Sequence, residues 1–194
     1  RVLKEEDIRV ENATYDNRQY TINLMAFDPY EFYKTGWFRK NLLSYSLRDY
    51  LNLLIQYPQG IFIDKKQAEK TGLKPGDLMM LTFNKVNVGF MVLAVIECWP
   101  TCYPEDGPFG IVDLTYLQNF IPLTPYLVWL RLEKEAKLSK IVQQLGDQNI
   151  IVQRIVDTRR RIIEGIRKPE RSGLYGMLST GFLVAAFITL AGFL

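Results

Sequence analysis

Histidine is absent from these 194 residues, cysteine occurs only twice, and the charges almost cancel, with 24 Lys and Arg against 21 Asp and Glu. Without histidine the chain lacks the commonest general base and metal ligand near neutral pH, so an enzymatic reading starts without its usual candidates. The near balance of charge gives no polyelectrolyte signal for nucleic acid. Cys98 and Cys102 enclose Trp-Pro-Thr, and a single Cys-x3-Cys with no further Cys or His is not a zinc site. The pair reads either as a short local disulfide in an oxidising compartment or as two free thiols. No secretory signal pattern opens the chain.

Charge is also missing in one long stretch. Leu174 to Leu194, LYGMLSTGFLVAAFITLAGFL, holds no charged residue, and an apolar run of about 20 residues is long enough to cross a hydrocarbon core as a helix. The remaining residues, about 172, suit one domain or two small ones, held at a membrane. The chain begins with Arg and stops at or within the run, and so reads as a piece of a longer protein. Gly181, Ala185, Thr189 and Gly192 recur at helical spacing along the run. Small residues so placed let a second helix approach closely, which points to a bundle of several spans.

Upstream, alternation at Ile8 and Val10 and again at Tyr20, Ile22 and Leu24, around a turn at Tyr15 to Arg18, predicts a hairpin. Asp28-Pro29-Tyr30-Glu31 has the marks of a helix start, with Asp28 as cap and Glu31 reaching back to it. Trp37 and Phe38 belong to a short aromatic-rich element, and Leu47, Leu51 and Leu54 form the stripe of a helix over 46–55. Gly60 to Asp64 reads as a buried strand. It leads into a helix capped by Asp64, with Gln67 completing a capping box and Gly72 closing the helix. A Pro75-Gly76 turn and a hairpin through Asn84 to Asn87 follow, returning as a strand over 88–96.

The Pro- and aromatic-rich stretch from Cys98 to Pro108 cannot join a ladder and is expected to project from the sheet. Asp113 caps a helix through Phe120. A strand over 127–132, an amphipathic helix over 133–145 stopped by Gly146, and a strand over 150–152 make a βαβ unit. Strands and helices thus mix along the chain, and the fold class is α+β. The helical stretch from Asp157 to Lys168 sets Ile155, Ile162, Ile163 and Ile166 on one side and Arg159, Arg160, Arg161 and Arg167 elsewhere. It reads either as a helix at the headgroup surface or as an ordinary solvated helix packed on the domain.

Ile61-Phe62-Ile63-Asp64, Gly72-Leu73-Lys74-Pro75-Gly76-Asp77-Leu78, Val88 to Ile96 and Val112-Asp113-Leu114 follow one another in order. After them come Val128-Trp129-Leu130, the Arg-rich helix, and Gly173 to Met177 running into Gly181-Phe182. Over 60–194 this series resembles the extracytoplasmic domain of FtsX-like/MacB-like ABC transporter permeases. The resemblance implies an extracytoplasmic α+β domain over 1–172, with a porter-like lobe and a smaller β-rich lobe near 60–112. A transmembrane helix over 173–194 would follow, within an incomplete bundle. It also implies a place in the cell membrane, among membrane lipids and other permease spans or a second permease subunit. A cytoplasmic ATPase subunit would hold the ATP, and the system would act in export, lipoprotein release or activation of cell-wall hydrolases.

In keeping with that division, Gly72 to Gly76 lacks the Gly-Lys-Ser/Thr ending of a phosphate-cradling loop, and no cofactor is expected on this chain. The basic flank before the run would, by the positive-inside rule alone, put the domain in the cytoplasm. That rule weakens for long translocated domains, and the resemblance together with the Cys pair favours the outside.

Catalytic candidates are thin. Asp64, Asp77 and Asp113 sit where caps and turns want a carboxylate, Asp106-Gly107 is a turn dipeptide, and Glu105 and Asp106 read as solvated loop carboxylates. The chain is therefore expected not to be an enzyme. Trp99, Tyr103 and Phe109 are the candidates for a loop that contacts substrate or partner. Arg159, Arg160, Arg161 and Arg167 are those for a membrane-coupling helix, and Gly181, Ala185, Thr189 and Gly192 those for a helix-packing face. The competing reading is a single-span membrane-anchored ectodomain that binds a ligand or acts as a sensor.

Overall fold

The computed structural model describes residues 1–15, 18–36, 42–122, 126–133, 135–166 and 181–192. These fall into two units, Arg1–Glu133 and Lys134–Leu194. The first is a closed six-stranded barrel with short helices, a mixed α+β architecture.

The barrel staves are β1 (Val2–Tyr15), β2 (Arg18–Phe27), β3 (Gly60–Asp64), β4 (Leu78–Phe83), β5 (Val86–Ile96) and β6 (Phe109–Asp113), in the spatial order β1-β2-β6-β3-β5-β4. Closure comes from antiparallel pairing of Arg9 with Thr82 and Val10 with Leu81. The expected hairpin forms, with Ile8 opposite Ile22 and Val10 opposite Tyr20. It is part of the closed barrel.

The pairing pattern repeats. An antiparallel hairpin, β1-β2, is followed by β3 and a helix, α3 (Lys65–Thr71); a second hairpin, β4-β5, is followed by β6 and a helix, α4 (Leu114–Gln118). β3 runs parallel to β5 and β6 runs parallel to β2, while β3 and β6 meet antiparallel with Phe62 opposite Ile111. Exchanging the two halves returns the same set of pairings, so the unit has an internal pseudo-two-fold at Phe62 and Ile111.

Alternation along the strands sorts side chains to two sides. Ile22, Leu24, Ala26, Ile61, Ile63, Met79, Leu81, Phe83, Val88, Phe90, Val92 and Val112 form one core cluster, the barrel interior. Met25, Phe27, Phe62, Phe109 and Ile111 point the other way into a second cluster. There they meet Phe32 of α1 (Pro29–Thr35), Tyr50, Leu51 and Leu54 of α2 (Leu47–Gln56), and Trp99. Because β3 and β6 are covered on both sides, every one of their residues is buried, and they read as short continuous apolar runs rather than alternating ones.

Helix starts follow the sequence closely. Asp28, Asp64 and Asp113 are N-caps, and Ser46 forms a reciprocal capping box with Asp49. Two expected reciprocal contacts differ. The Glu31 carboxylate accepts from Lys34 at 3.0 Å instead of reaching back to the cap. The Gln67 amide is turned inward to Met79 Sδ at 4.0 Å, its Oε1 buried without a hydrogen-bond donor. Gly72 closes α3 in the left-handed conformation, φ 74°, where a Cβ is disfavoured. Helix α4 ends at Gln118, short of Phe120.

The expected βαβ unit does not form. In the first unit, residues 126–133 contribute one bridge, Leu127 with Val2. In the second, residues 150–156 belong to no strand or helix. An apolar strand signal is realised only where a neighbouring backbone supplies hydrogen bonds, and none of the described residues pairs with 150–152. Helix α5 (Leu138–Asp147) runs through Gly146 rather than stopping before it. The left-handed residue after it is Asn149, φ 58°, and the Ile150 N–H returns to the Leu145 carbonyl at 2.9 Å. The turn at 16–17 and the Trp37-Phe38 element lie outside the described residues.

Candidate functional site

The loop joining β5 to β6 was the first candidate surface, and it does not project. Trp99 and Cys102 exchange backbone hydrogen bonds of 3.1 and 2.8 Å across Pro100-Thr101, with Thr101 at φ 68°. This tight turn drives the Trp99 indole into the outer cluster, where its ring lies 5.7 Å from that of Phe27, 5.9 Å from Phe32 and 6.2 Å from Phe62. Polar contacts tie the loop to the barrel. Lys4 Nζ donates to the Thr101 carbonyl at 2.9 Å, Asn23 Nδ2 to the Asp106 carbonyl at 3.1 Å, and the Phe109 N–H to Asp64 Oδ2 at 3.3 Å.

Trp99 and Phe109 are fully buried, whereas Tyr103 is 51% exposed. Of the three residues expected to present a contact surface, only Tyr103 faces solvent. Trp99 and Phe109 anchor the loop, since large apolar rings gain most by leaving water.

Both cysteines are free thiols with different neighbours. Cys98 Sγ donates to the Leu42 carbonyl at 3.6 Å, and Cys102 Sγ lies 3.8 Å from Met25 Sδ. Burial pushes both thiols up, with Glu97 and Glu105 adding to the effect at Cys98. A raised pKa lowers the thiolate fraction and hence reactivity.

The three strand-to-helix junctions consume the acidic candidates. Asp28 Oδ1 accepts from the Tyr30 and Glu31 N–H groups at 2.9 and 3.0 Å. Asp64 Oδ1 accepts from Lys66 and Gln67 at 2.8 and 3.2 Å, and Asp113 Oδ1 from Tyr116 at 3.0 Å. Asp77 accepts from the Lys74 N–H at 2.7 Å inside the Pro-Gly turn. Tyr20, beside Asp64, is pushed up to about 12, first by burial and then by that carboxylate. Among the described residues no group of three Cys, Asp or Glu side chains converges to hold a metal ion.

Burial raises Asp64 and Asp113 above the ordinary 3.8, against the opposing pull of the backbone N–H groups. Between 3.8 and the raised native value the folded chain binds more protons than the unfolded one, so stability falls as pH rises through that window. Asp64→Asn keeps a cap acceptor and carries no charge. Wild type minus Asp64→Asn stability, from urea unfolding of the full chain in mild detergent, is expected to be greatest below 3.8 and to decline as pH rises. Loss of the acceptor for the Phe109 N–H offsets the difference equally at every pH. A difference that grows with pH would contradict this assignment.

In the second unit, α6 (Thr158–Ile166) starts at Asp157, whose Oδ1 accepts from the Arg159 N–H at 2.9 Å. Arg160 pairs with Glu164 at 2.9 Å, and Ile162 and Ile163 are exposed. Arg167 lies outside the described residues. Residues 181–191 are helical, and along them the Thr189 hydroxyl donates to the Ala185 carbonyl at 2.6 Å, which leaves a small, internally satisfied surface with Gly181 and Gly192. No helix among the described residues is long and apolar enough to cross a membrane; positions 174–180 and 193–194 of the apolar run lie outside them.

No family model matches the chain, and neither does any curated protein. Among solved structures it is similar to the extracellular domain of the noncanonic ABC-type transporter YknZ from Gram-positive bacteria, with 16% sequence identity and a TM-score of 0.36. The similarity covers 61% of this chain and 56% of that one, so the chain spans little more than half of that structure's length. At that level it assigns no residue a role.

Proposed function

We propose that the chain is the extracytoplasmic domain and adjoining span of an ABC transporter permease subunit. In this reading ATP is bound and hydrolysed by a separate cytoplasmic ATPase, and this chain catalyses nothing. Movement of the membrane helices is passed through the apolar run and the Arg-rich helix to the domain outside, which acts in export, lipoprotein release or activation of a partner. The observation that carries it is the order of parts. A strand and Asp64-capped helix, the Lys74 to Asp77 turn, a hairpin, and a second strand with its Asp113-capped helix precede a basic helix and an uncharged run.

Two further features support it. Asp64, Asp77 and Asp113 are engaged with backbone amides of their own turns. A closed barrel has no free sheet edge to slip or aggregate, which suits a part that must move as one piece. The reading is tested by affinity purification of the full-length membrane product in a detergent that preserves complexes. An ATPase subunit is expected to accompany it. Recovery of the chain alone would favour a single-span anchored ectodomain.

A further inference from the structure

Helix α6 carries a second, more specific reading, which rests on the proposal above in one respect: that the run over 174–194 enters a membrane. We infer that α6 lies in the headgroup layer of an anionic phospholipid bilayer, with Ile162 and Ile163 at the acyl boundary and its arginines at the lipid phosphates. The apolar side is open to receive it: Ile162 and Ile163 are 57% and 49% exposed, and Ile155 and Val156, just before the helix, 47% and 49%. Within its own unit the helix leaves this side uncovered.

Charge selects the lipid class. From Arg154 to Ile166 four arginines, at 154, 159, 160 and 161, stand against Asp157 and Glu164 alone. One of those acids caps the helix and the other pairs with Arg160 across exposed surface, where an ion pair is readily exchanged for another. At 100° per residue Arg159 falls inside the arc of Ile162 and Ile163 rather than elsewhere on the helix as expected, and Arg160 flanks that arc. A long side chain there lays its methylenes on apolar surface and lifts its guanidinium to the phosphates. Position selects the membrane over a soluble partner. Residues 167–173 are all that separate the helix from Leu174, and seven residues reach at most about 25 Å in any conformation. The helix is therefore confined within a short tether of the surface it fits.

The test uses the full chain in lipid nanodiscs, in a Cys98→Ser background with Cys102 left buried, bearing an environment-sensitive fluorophore at Ile162→Cys or, as the polar-side control, Glu164→Cys. Discs are made of phosphatidylcholine with or without phosphatidylglycerol. In the anionic discs shallow spin-labelled lipid is expected to quench the 162 probe by about twofold or more, and iodide to quench only the 164 probe. Without phosphatidylglycerol, or with Arg160→Gln and Arg161→Gln, the lipid quenching at 162 is expected to fall away.

A 162 probe open to iodide in both membranes overturns the proposal. So does one shielded from iodide and lipid quencher alike, as a covering protein surface would leave it, and so does equal lipid quenching in both membranes. A chain that does not enter the discs overturns both this inference and the membrane reading of the run. Failure to recover an ATPase would sink the permease reading and leave the probe result standing.

Discussion

Trp99→Ala is expected to lower the unfolding free energy of the barrel unit by about 4 kcal/mol, within the usual cost of truncating a buried tryptophan. The indole is fully buried, and its stacking on Phe27 and Phe32 holds the β5 to β6 loop against the strand faces. Folded domains are stable by only about 5–15 kcal/mol in all, so the variant should lose a large share of its margin. Trp99→Phe, which keeps a ring in the stack, should cost distinctly less.

Tyr103→Ala, a few residues along the same loop and half-exposed, should change stability by less than about 0.5 kcal/mol. Urea unfolding of the full chain in mild detergent measures all three. Equal effects at Trp99 and Tyr103 would mean that the loop is not seated as described.

Gly110→Val is expected to cost about 3 kcal/mol by overpacking the barrel interior. A Cβ at this position would lie 2.9 Å from Ile61 Cδ1, 3.0 Å from Ile22 Cδ1 and 3.2 Å from Leu24 Cδ1. One methyl can be met by small shifts of those flexible ends, so Gly110→Ala should be mild, its crowding partly offset by a stiffer unfolded chain. The two further methyls of valine have no such room, because a closed barrel cannot splay its staves. Adding Ile61→Val should recover part of the loss, a coupling that a double-mutant cycle reads directly. A neutral Gly110→Val would show that the interior is not closely packed at this point.

These two residues also mark where the sequence was and was not readable. The caps at Asp28, Asp64 and Asp113 were legible because their chemistry is local: each satisfies amides within three residues, and Gly72 supplies the left-handed closure. The first hairpin was legible from its alternation. Closure of the barrel was not, since alternation says which side of a strand is apolar and nothing about which strand is its neighbour. The repeat was present as Gly-Ile-Phe-Ile-Asp at 60–64 and Phe-Gly-Ile-Val-Asp at 109–113, each followed by a helix, and comparing those two strings would have found it.

The loop misled for a related reason. Its prolines do keep it out of the ladders, but exclusion from hydrogen bonding says nothing of where Trp99 points, and the density of aromatic residues was the better signal. Strands over 127–132 and 150–152 were expected from apolar content alone, which cannot supply a partner backbone.

The central claim, that this barrel is the outer part of an ATP-driven permease, is met most directly by purifying the full-length product from its own membranes and identifying what comes with it. An ATPase subunit is expected in constant proportion to the chain, with ATP hydrolysis by the complex and none by the chain alone. A chain recovered without an ATPase under conditions that keep membrane complexes intact would contradict it.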